Sequence, residues 1–104
     1  METDPLLLVV RSEPVSPEHA PEYHRWYADH VEKLTAVPGV MSGRRFQCID
    51  GEPQFMALYE IENFDVFDTP PYREVKGFGT IEPYVRFTRN VYRSMPVDGP
   101  SDGR

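Results

Sequence analysis

The sequence predicts an α+β domain of the ferredoxin-like type, with the element order β-α-β-β-α-β and a four-stranded antiparallel sheet. One amphipathic helix, over about residues 21–37, lies between strand-like segments, and the turn signal Asp50-Gly51 joins the next two strands as a hairpin. The segments Leu6–Val10 and Gln54–Ile61 are apolar on both faces. Because this topology places the first and third strands at the centre of the sheet, their composition supports the same fold.

The first strand and the first helix are bounded by proline and glycine. After the strand Leu6–Val10, the pair Ser16-Pro17 is typical of a helix start. Pro21 would remove a backbone hydrogen bond, so we expect a separate first turn and a main helix from about Pro21 to Val37. Pro38-Gly39 ends that helix.

The rest of the chain supplies three strands and an interrupted second helix. Thr69-Pro70-Pro71 breaks the helical pattern, which predicts two short helices, and Gly77-Phe78-Gly79 is expected to loop out. The expected bounds are Met41–Ile49, Gln54–Ile61 and Tyr84–Met95 for the strands, and Asp65–Asp68 and Pro71–Lys76 for the helices. We expect one domain over residues 1–95 and a disordered tail over residues 96–104, where Pro, Gly, Ser and Asp dominate.

Charge and composition argue against several classes of partner. Of the 104 residues, 17 are acidic and 11 are basic, which gives a formal net charge of −6. Nucleic acids and anionic membrane surfaces require clustered positive charge, so neither is expected as a partner. The longest apolar run, Pro5–Val10, is too short to span a bilayer. The single cysteine, Cys48, excludes an internal disulfide, is expected to be an inert core thiol, and favours a cytoplasmic location.

The sequence predicts neither a metal site nor a cofactor. His24 and His30 are six residues apart, whereas two metal ligands on one helix are typically three or four apart. Gly77-Phe78-Gly79 lacks the strand–helix context of a phosphate-binding loop. No Ser/Cys–His–Asp pattern is visible either. Any chemistry would therefore depend on imidazole and phenol groups and on the shape of a pocket.

His30 lies near the middle of the apolar stripe of the main helix. At about 100° per residue, this stripe also contains Tyr23, Trp26, Tyr27, Val31, Leu34 and Val37. Two interpretations remain open. The ring hydrogen-bonds a backbone carbonyl within the core, or it faces a pocket between helix and sheet and transfers a proton, as its ordinary pKa of about 6.5 allows. His19 and His24 fall on the polar side and are expected to be solvated.

Three aromatic residues are candidates for substrate binding, and each has a structural alternative. Trp26 and Tyr27 flank His30 and either pack a core or dimer interface or form an aromatic wall that orients a planar molecule. Tyr59, on the third strand, either offers its phenol to the pocket or fills the interior.

Arginines concentrate on the two expected edge strands. Arg44 and Arg45 begin the second strand, where charge discourages aggregation, although one of them, in our view Arg45, is a candidate to meet an anionic substrate group. Arg86, Arg89 and Arg93 on the last strand are interpreted in the same way.

Two helices cover only one face of a four-stranded sheet. The other face would carry apolar groups from both central strands, a patch too large for a monomer. Burial against the sheet of a second copy is the simplest solution, so we expect a two-fold homodimer. A larger hetero-assembly is the alternative.

Several short motifs are distributed over roughly residues 6–93. They are Trp26-Tyr27-x-x-His30, Leu34-x-x-Val37-Pro-Gly-Val40, Arg44-Arg45-Phe46, Pro53-x-Phe55-x-Ala57-Leu-Tyr-Glu60 and Tyr72-Arg73. Together they resemble the EthD-like branch of the dimeric α+β barrel superfamily. The resemblance implies that two protomers pair their sheets into a barrel and that each keeps a pocket between its sheet and its helices. It also favours the functional interpretation of His30.

The resemblance implies a small-molecule enzyme, although relatives range from cofactor-free polyketide cyclases and muconolactone isomerases to quinone-forming and haem-degrading oxygenases. We expect cofactor-free proton transfer (cyclisation or isomerisation) on an aromatic, polyketide-like or lactone substrate. His30 would be the general acid or base, Trp26 and Tyr27 would shape the pocket, and Tyr59 or Arg45 would stabilise negative charge. A cofactor-free or haem-dependent monooxygenase is one alternative. A non-catalytic accessory protein that binds a small molecule is another.

Overall fold

The computed structural model describes residues 4–95. It contains a four-stranded antiparallel sheet with helices on one face. The strand order β2-β3-β1-β4 is that of the ferredoxin-like fold, so the predicted fold class is confirmed. The strands are β1 Leu6–Pro14, β2 Val40–Gln47, β3 Phe55–Ile61 and β4 Val85–Tyr92, and the helices are α1 Ala20–Thr35 and α2 Pro70–Val75. Three 3-10 turns, Pro17–His19, Phe64–Asp68 and Gly79–Tyr84, complete the described elements.

Strand β1 is longer than predicted because it pairs with β3 as far as Ser12 and with β4 as far as Pro14. Leu8 pairs with Tyr59 of β3 and with Val91 of β4, and the ladders continue past Val10. Ser12 continues the face directed at the helices, where it is buried and hydrogen-bonds the phenol oxygen of Tyr23 at 2.6 Å. The sequence did not predict this extension, because Ser12 is polar and a polar residue after an apolar run indicates the end of a strand. In the structure its hydroxyl is instead hydrogen-bonded to a residue of α1.

Helix α1 begins after a separate turn, as Pro21 led us to expect. It buries Tyr23, Tyr27 and Leu34 against the sheet. Near its end, the Thr35 hydroxyl donates to the carbonyl oxygens of Val31 and Glu32. The helix therefore stops two residues earlier than predicted, and the chain turns through Gly39 at φ +94° into β2.

The second helical segment is divided in two, as Thr69-Pro70-Pro71 predicts. Asn63 caps the 3-10 turn by accepting the N–H of Asp65 at 3.0 Å, and the Thr69 hydroxyl accepts the N–H of Tyr72 at 3.4 Å to cap α2. Both caps are short polar side chains of the kind that satisfies the free N–H groups of a helix start.

The segment Gly77-Phe78-Gly79 leaves the helix as a loop, as predicted, but its aromatic side chain turns inwards. Gly77 and Gly79 adopt left-handed backbone angles, φ +87° and +58°, which turn the chain back so that Phe78 is only 3% exposed. A 3-10 turn follows, and β4 then ends at Tyr92, short of the predicted Met95. The predicted tail over residues 96–104 lies outside the described residues.

The face of the sheet opposite the helices is mixed in character. Near its centre, Val9 is buried while Met56 and Leu58 are half-buried, and Glu13 with Arg86 forms an ion pair at 3.1 Å towards one end. Cys48 follows the end of β2 and is exposed, so the prediction of a core thiol is wrong. Among residues 4–95, no helix is long and apolar enough to cross a membrane.

Candidate active site

A small cavity of about 50 Å³ lies between α1, the sheet and the connection from α2 to β4. One imidazole and three phenols face it, from His30, Tyr27, Tyr59 and Tyr72. The other lining residues are Leu8, Val10, Leu34, Lys76, Gly77, Phe78, Phe87 and Arg89. At this volume the cavity holds one or two water-sized groups, so only the end of a ligand can enter it.

His30 faces this cavity from the middle of α1. Its ring stacks on Trp26 with centroids 4.3 Å apart and 17° between the planes, and it meets the edge of Tyr27 at 5.9 Å. Within residues 4–95 the ring nitrogens have no hydrogen-bond partner, so the carbonyl bond of the structural interpretation is not formed. Burial lowers the pKa of His30 to about 4, with a small upward contribution from Asp29 and a small downward one from Lys33. The imidazole is therefore neutral at physiological pH.

Tyr59 carries a buried hydroxyl that has no hydrogen-bond partner within the described residues. Its side chain, 1% exposed, extends from the centre of β3 to the cavity. Burial raises the pKa of Tyr59, so the phenol keeps its proton at neutral pH. An unpaired buried hydroxyl costs about 1–3 kcal/mol. A hydroxyl with this cost, located beside a cavity, is suited to donate to a group that enters it.

Trp26 and Phe78 enclose His30 on the outer side. Phe78 stacks on Trp26 at 5.1 Å and meets the edge of Tyr27 at 5.6 Å. Trp26 also lines a second depression at the cleft, beyond His30. Sequence reasoning missed Phe78, although an aromatic residue between two glycines is a usable signal for a side chain that turns inwards.

Tyr72 and Arg89 also line the cavity, and of these two only Tyr72 was not considered as a substrate-binding residue from the sequence. The guanidinium of Arg89 lies 5.0 Å from the ring centroid of Phe67 and donates through Nη2 to the phenol oxygen of Tyr72 at 3.4 Å. Both residues also line a groove of about 590 Å³ that continues outwards from the cavity. Arg89 was interpreted either as an edge-strand charge or as a group that meets a substrate anion, and its position on β4 directs it to the helix side, beside Val10 of β1.

Arg45, the remaining predicted residue, does not line the cavity. Its guanidinium lies 4.5 Å from the ring centroid of Tyr27 and 5.5 Å from those of Tyr23 and Phe55. Nη2 of Arg45 donates to Nδ1 of His24 at 3.3 Å, and the Nε atom is buried without a partner in the described part of the chain. His24 is accordingly half-buried against Phe55 and not solvated as expected.

The structure thus brings His30, Tyr27 and Tyr59 to one cavity, whereas Trp26 stacks on His30 without lining that cavity and Arg45 lies behind Tyr27. Among residues 4–95, no three His, Cys, Asp or Glu side chains converge as a set of metal ligands. The chemical groups offered to a ligand are therefore a neutral imidazole, three phenols, one guanidinium and one ammonium group.

No protein-family model matches the chain, and no curated protein is significantly similar to it. Solved structures do resemble it. A dabb family protein with a ferredoxin-like fold from Mesorhizobium loti has a TM-score of 0.70 at 18% identity, and the alignment covers 89% of this chain and 99% of that one. SnoaB from Streptomyces nogalater, a cofactor-independent oxygenase, has a TM-score of 0.69 at 13% identity and covers 94% of this chain and 99% of its own. The chain has the ferredoxin-like fold of these proteins.

A third structure, from Nitrosomonas europaea and provisionally assigned as an antibiotic biosynthesis monooxygenase, has a TM-score of 0.65 at 16% identity. It covers 91% of this chain and 94% of its own. At these identities the likeness establishes the fold and leaves the chemistry of the cleft to be argued from its residues.

Proposed function

We propose that the protein is a small-molecule enzyme of the dimeric α+β barrel type that transfers a proton without a cofactor. The substrate would be aromatic, polyketide-like or a lactone. One observation carries the proposal: the half-buried, neutral imidazole of His30 shares a small cavity with the fully buried, unpartnered phenol of Tyr59. A base and a hydrogen-bond donor at one cavity are the two groups needed to form an enolate.

In the proposed mechanism His30 takes a proton from an acidic C–H or O–H of the bound substrate. The O–H of Tyr59 donates a hydrogen bond to the oxygen on which negative charge develops. Return of the proton from His30 to a different carbon gives an isomer, and attack of the enolate carbon on a second carbonyl of the same molecule gives a cyclic product. Because the pKa of free His30 is about 4, the substrate proton must be acidic, as it is between two carbonyl groups or beside a carbonyl and an aromatic ring.

The aromatic walls favour a planar substrate. Trp26, Tyr27 and Phe78 present ring faces and edges around His30. Since the cavity is small, the reacting end of the substrate would enter it while the remainder lies in the groove that continues past Tyr72. Arg45 contacts Tyr27 from behind, so we propose that it orients this wall rather than binding the substrate directly.

A cofactor-independent oxygenase is the second candidate, because the similar SnoaB structure is of a protein with that name. The same enolate would react with dioxygen: a CH2 group becomes a carbonyl, one oxygen atom enters the product and the other leaves as water. A haem-dependent reaction fits less well, because His30 lines only the cavity of about 50 Å³ and a depression of about 170 Å³, and both are too small for a macrocycle.

Two further features belong to the same proposal. We propose a two-fold homodimer formed by the open face of the sheet, supported by the partly exposed apolar side chains of Met56 and Leu58 near its centre. We also propose membership of the EthD-like branch, supported by the position of Trp26, Tyr27 and His30, the residues of its Trp-Tyr-x-x-His motif, around one cleft.

Solvent deuterium exchange into planar carbon acids tests the function. A panel of ketones and lactones, including anthrone, is incubated in D2O under argon and in air with the wild type, with His30→Gln and with the control His19→Gln. His19 stacks on Tyr84 and does not line the cavity. We expect exchange by the wild type and the control, and a loss of roughly 10²–10⁴-fold in His30→Gln.

Oxygen uptake in air separates the candidates. Exchange without oxygen uptake supports an isomerase or cyclase, and exchange with one equivalent of oxygen consumed supports the oxygenase. If every compound that binds the wild type fails to exchange, or if His30→Gln exchanges as fast as the wild type, the proposed mechanism is wrong and the non-catalytic binding protein is favoured.

A further inference from the structure

The outer part of the cleft is positively charged in a protein whose net charge is −6. Lys76 and Arg89 line both the cavity beside His30 and the groove outside it. Within residues 4–95 neither forms an ion pair, as is also true of several other arginines, so no carboxylate of the described residues neutralises either charge. Glu82 also lines the groove but lies beyond ion-pair distance of both cations. The charged lining of the groove is thus two cations and one carboxylate.

Arg89 is held in place before any ligand arrives. Its guanidinium lies over the ring of Phe67 at 5.0 Å, and Nη2 donates to the phenol oxygen of Tyr72 at 3.4 Å. Because Tyr72 accepts this bond, its own O–H proton is free to donate to another group. A planar guanidinium with a fixed orientation and an adjacent phenol donor match the oxygens of a carboxylate or a phosphate.

We infer that Arg89, Lys76 and Tyr72 form an anion-binding subsite at the mouth of the cleft, and that the substrate is a planar molecule with a carboxylate or phosphate at one end and its reacting carbon at the other. The inference rests on the proposed function, since it concerns the substrate of the same cleft. Tyr72, Lys76, Gly77 and Arg89 line both compartments, so one molecule can extend from the subsite to His30.

Calorimetric titration with three planar probes tests the subsite without requiring turnover. The probes are 2-naphthoate, 2-naphthyl phosphate and the neutral 2-naphthamide, titrated into the wild type, Arg89→Gln, Lys76→Gln and the control Arg73→Gln. Arg73 is an exposed cation on α2 that does not line the cavity or the groove. We expect at least one anionic probe to bind the wild type and Arg73→Gln roughly tenfold or more tightly than the amide.

Arg89→Gln should remove most of this preference and Lys76→Gln part of it, while both keep the amide affinity of the wild type within about twofold, which shows that the cleft is still folded. The tighter anionic probe identifies the group as carboxylate or phosphate. Equal binding of all three probes by the wild type, or an unchanged preference in Arg89→Gln, would overturn the subsite. Proton transfer is judged separately by deuterium exchange, so either proposal can fail while the other stands.

Discussion

Burial of the His30 imidazole makes stability depend on pH. The folded protein holds the pKa at about 4, whereas the unfolded chain has the ordinary value of 6.5. Between these values the unfolded state binds more protons, so the stabilisation is complete above pH 6.5 and is lost as the pH falls towards 4. The shift corresponds to about 3 kcal/mol, and we expect about 2 because the ring retains some solvent access.

Urea unfolding from pH 7.5 to 4 measures this dependence. In His30→Gln the loss of stability over the interval should be smaller by about 2 kcal/mol, since glutamine does not titrate. Carboxylates contribute to both proteins equally, so only the difference between them is diagnostic. Parallel curves for the two proteins would show that His30 titrates normally and is not buried as described.

We expect removal of the unpartnered Tyr59 hydroxyl to lower activity without lowering stability. Tyr59→Phe removes a buried polar group that has no partner within the described residues and keeps the ring, so the free energy of unfolding should be unchanged or rise by about 1 kcal/mol. Deuterium exchange should fall by about 10²-fold, because the enolate loses its hydrogen-bond donor. A variant that is destabilised and fully active would contradict the role given to this hydroxyl.

Sequence reasoning identified some residues of the cleft and not others, for a physical reason. His30, Trp26 and Tyr27 follow from helical periodicity, because one helix places them on one stripe. Phe78 and Arg89 come from a loop and an edge strand, and their inward orientation depends on two left-handed glycines and on pairing with β1. Both orientations thus depend on other parts of the chain and cannot be predicted from the sequence immediately around Phe78 or Arg89.

At the level of elements, Gly43 allows β2 to pack closely against side chains of α1 and β3. A Cβ atom added to Gly43 would lie 2.7 Å from Cγ2 of Thr35 and 2.8 Å from the ring of Tyr59. Gly43→Ala should therefore cost about 1–3 kcal/mol and move the Tyr59 ring, because the overlap is with a packed aromatic side chain.

Chemical denaturation of a small variant series measures this fit. Thr35→Ser removes the Cγ2 methyl group and keeps the hydroxyl that bonds Val31 and Glu32. The double variant Thr35→Ser/Gly43→Ala should recover part of the stability that Gly43→Ala loses. The control double variant Ser42→Ala/Gly43→Ala should recover none of it. Additive effects in the first pair would show that Thr35 is not part of the constraint.

The order and type of the elements could be predicted more fully than their ends. Apolar residues on both faces of Leu6–Val10 and Gln54–Ile61 predicted the two central strands, and β1 and β3 are the inner pair of the sheet. The end of β1 could not be predicted, since Ser12 is buried only through its bond to Tyr23 on a different element. Tertiary partners decide such boundaries.

At the scale of the whole molecule, the proposed homodimer would form through the open face of the sheet. We expect light scattering to give twice the chain mass of 12.0 kDa. Leu58→Glu should give the mass of a monomer, because it places a charge at the centre of the face that would be buried. Ala28→Glu, an apolar-to-acidic change on the exposed side of α1, is the matched control and should remain dimeric. A monomeric wild type would contradict the dimer.

The central claim is that the neutral imidazole of His30 accepts a proton from a ligand in the cleft, and NMR titration of ¹⁵N-labelled histidine measures it directly. The three histidines give separate signals, so His19 and His24 serve as internal controls. Free His30 should titrate near pH 4. With the enolate analogue 2-hydroxy-1,4-naphthoquinone bound, its pKa should rise by about 2 units or more, because an adjacent anion favours the imidazolium. A free His30 that titrates near 6.5, or a pKa that saturating ligand leaves unchanged, would contradict the account.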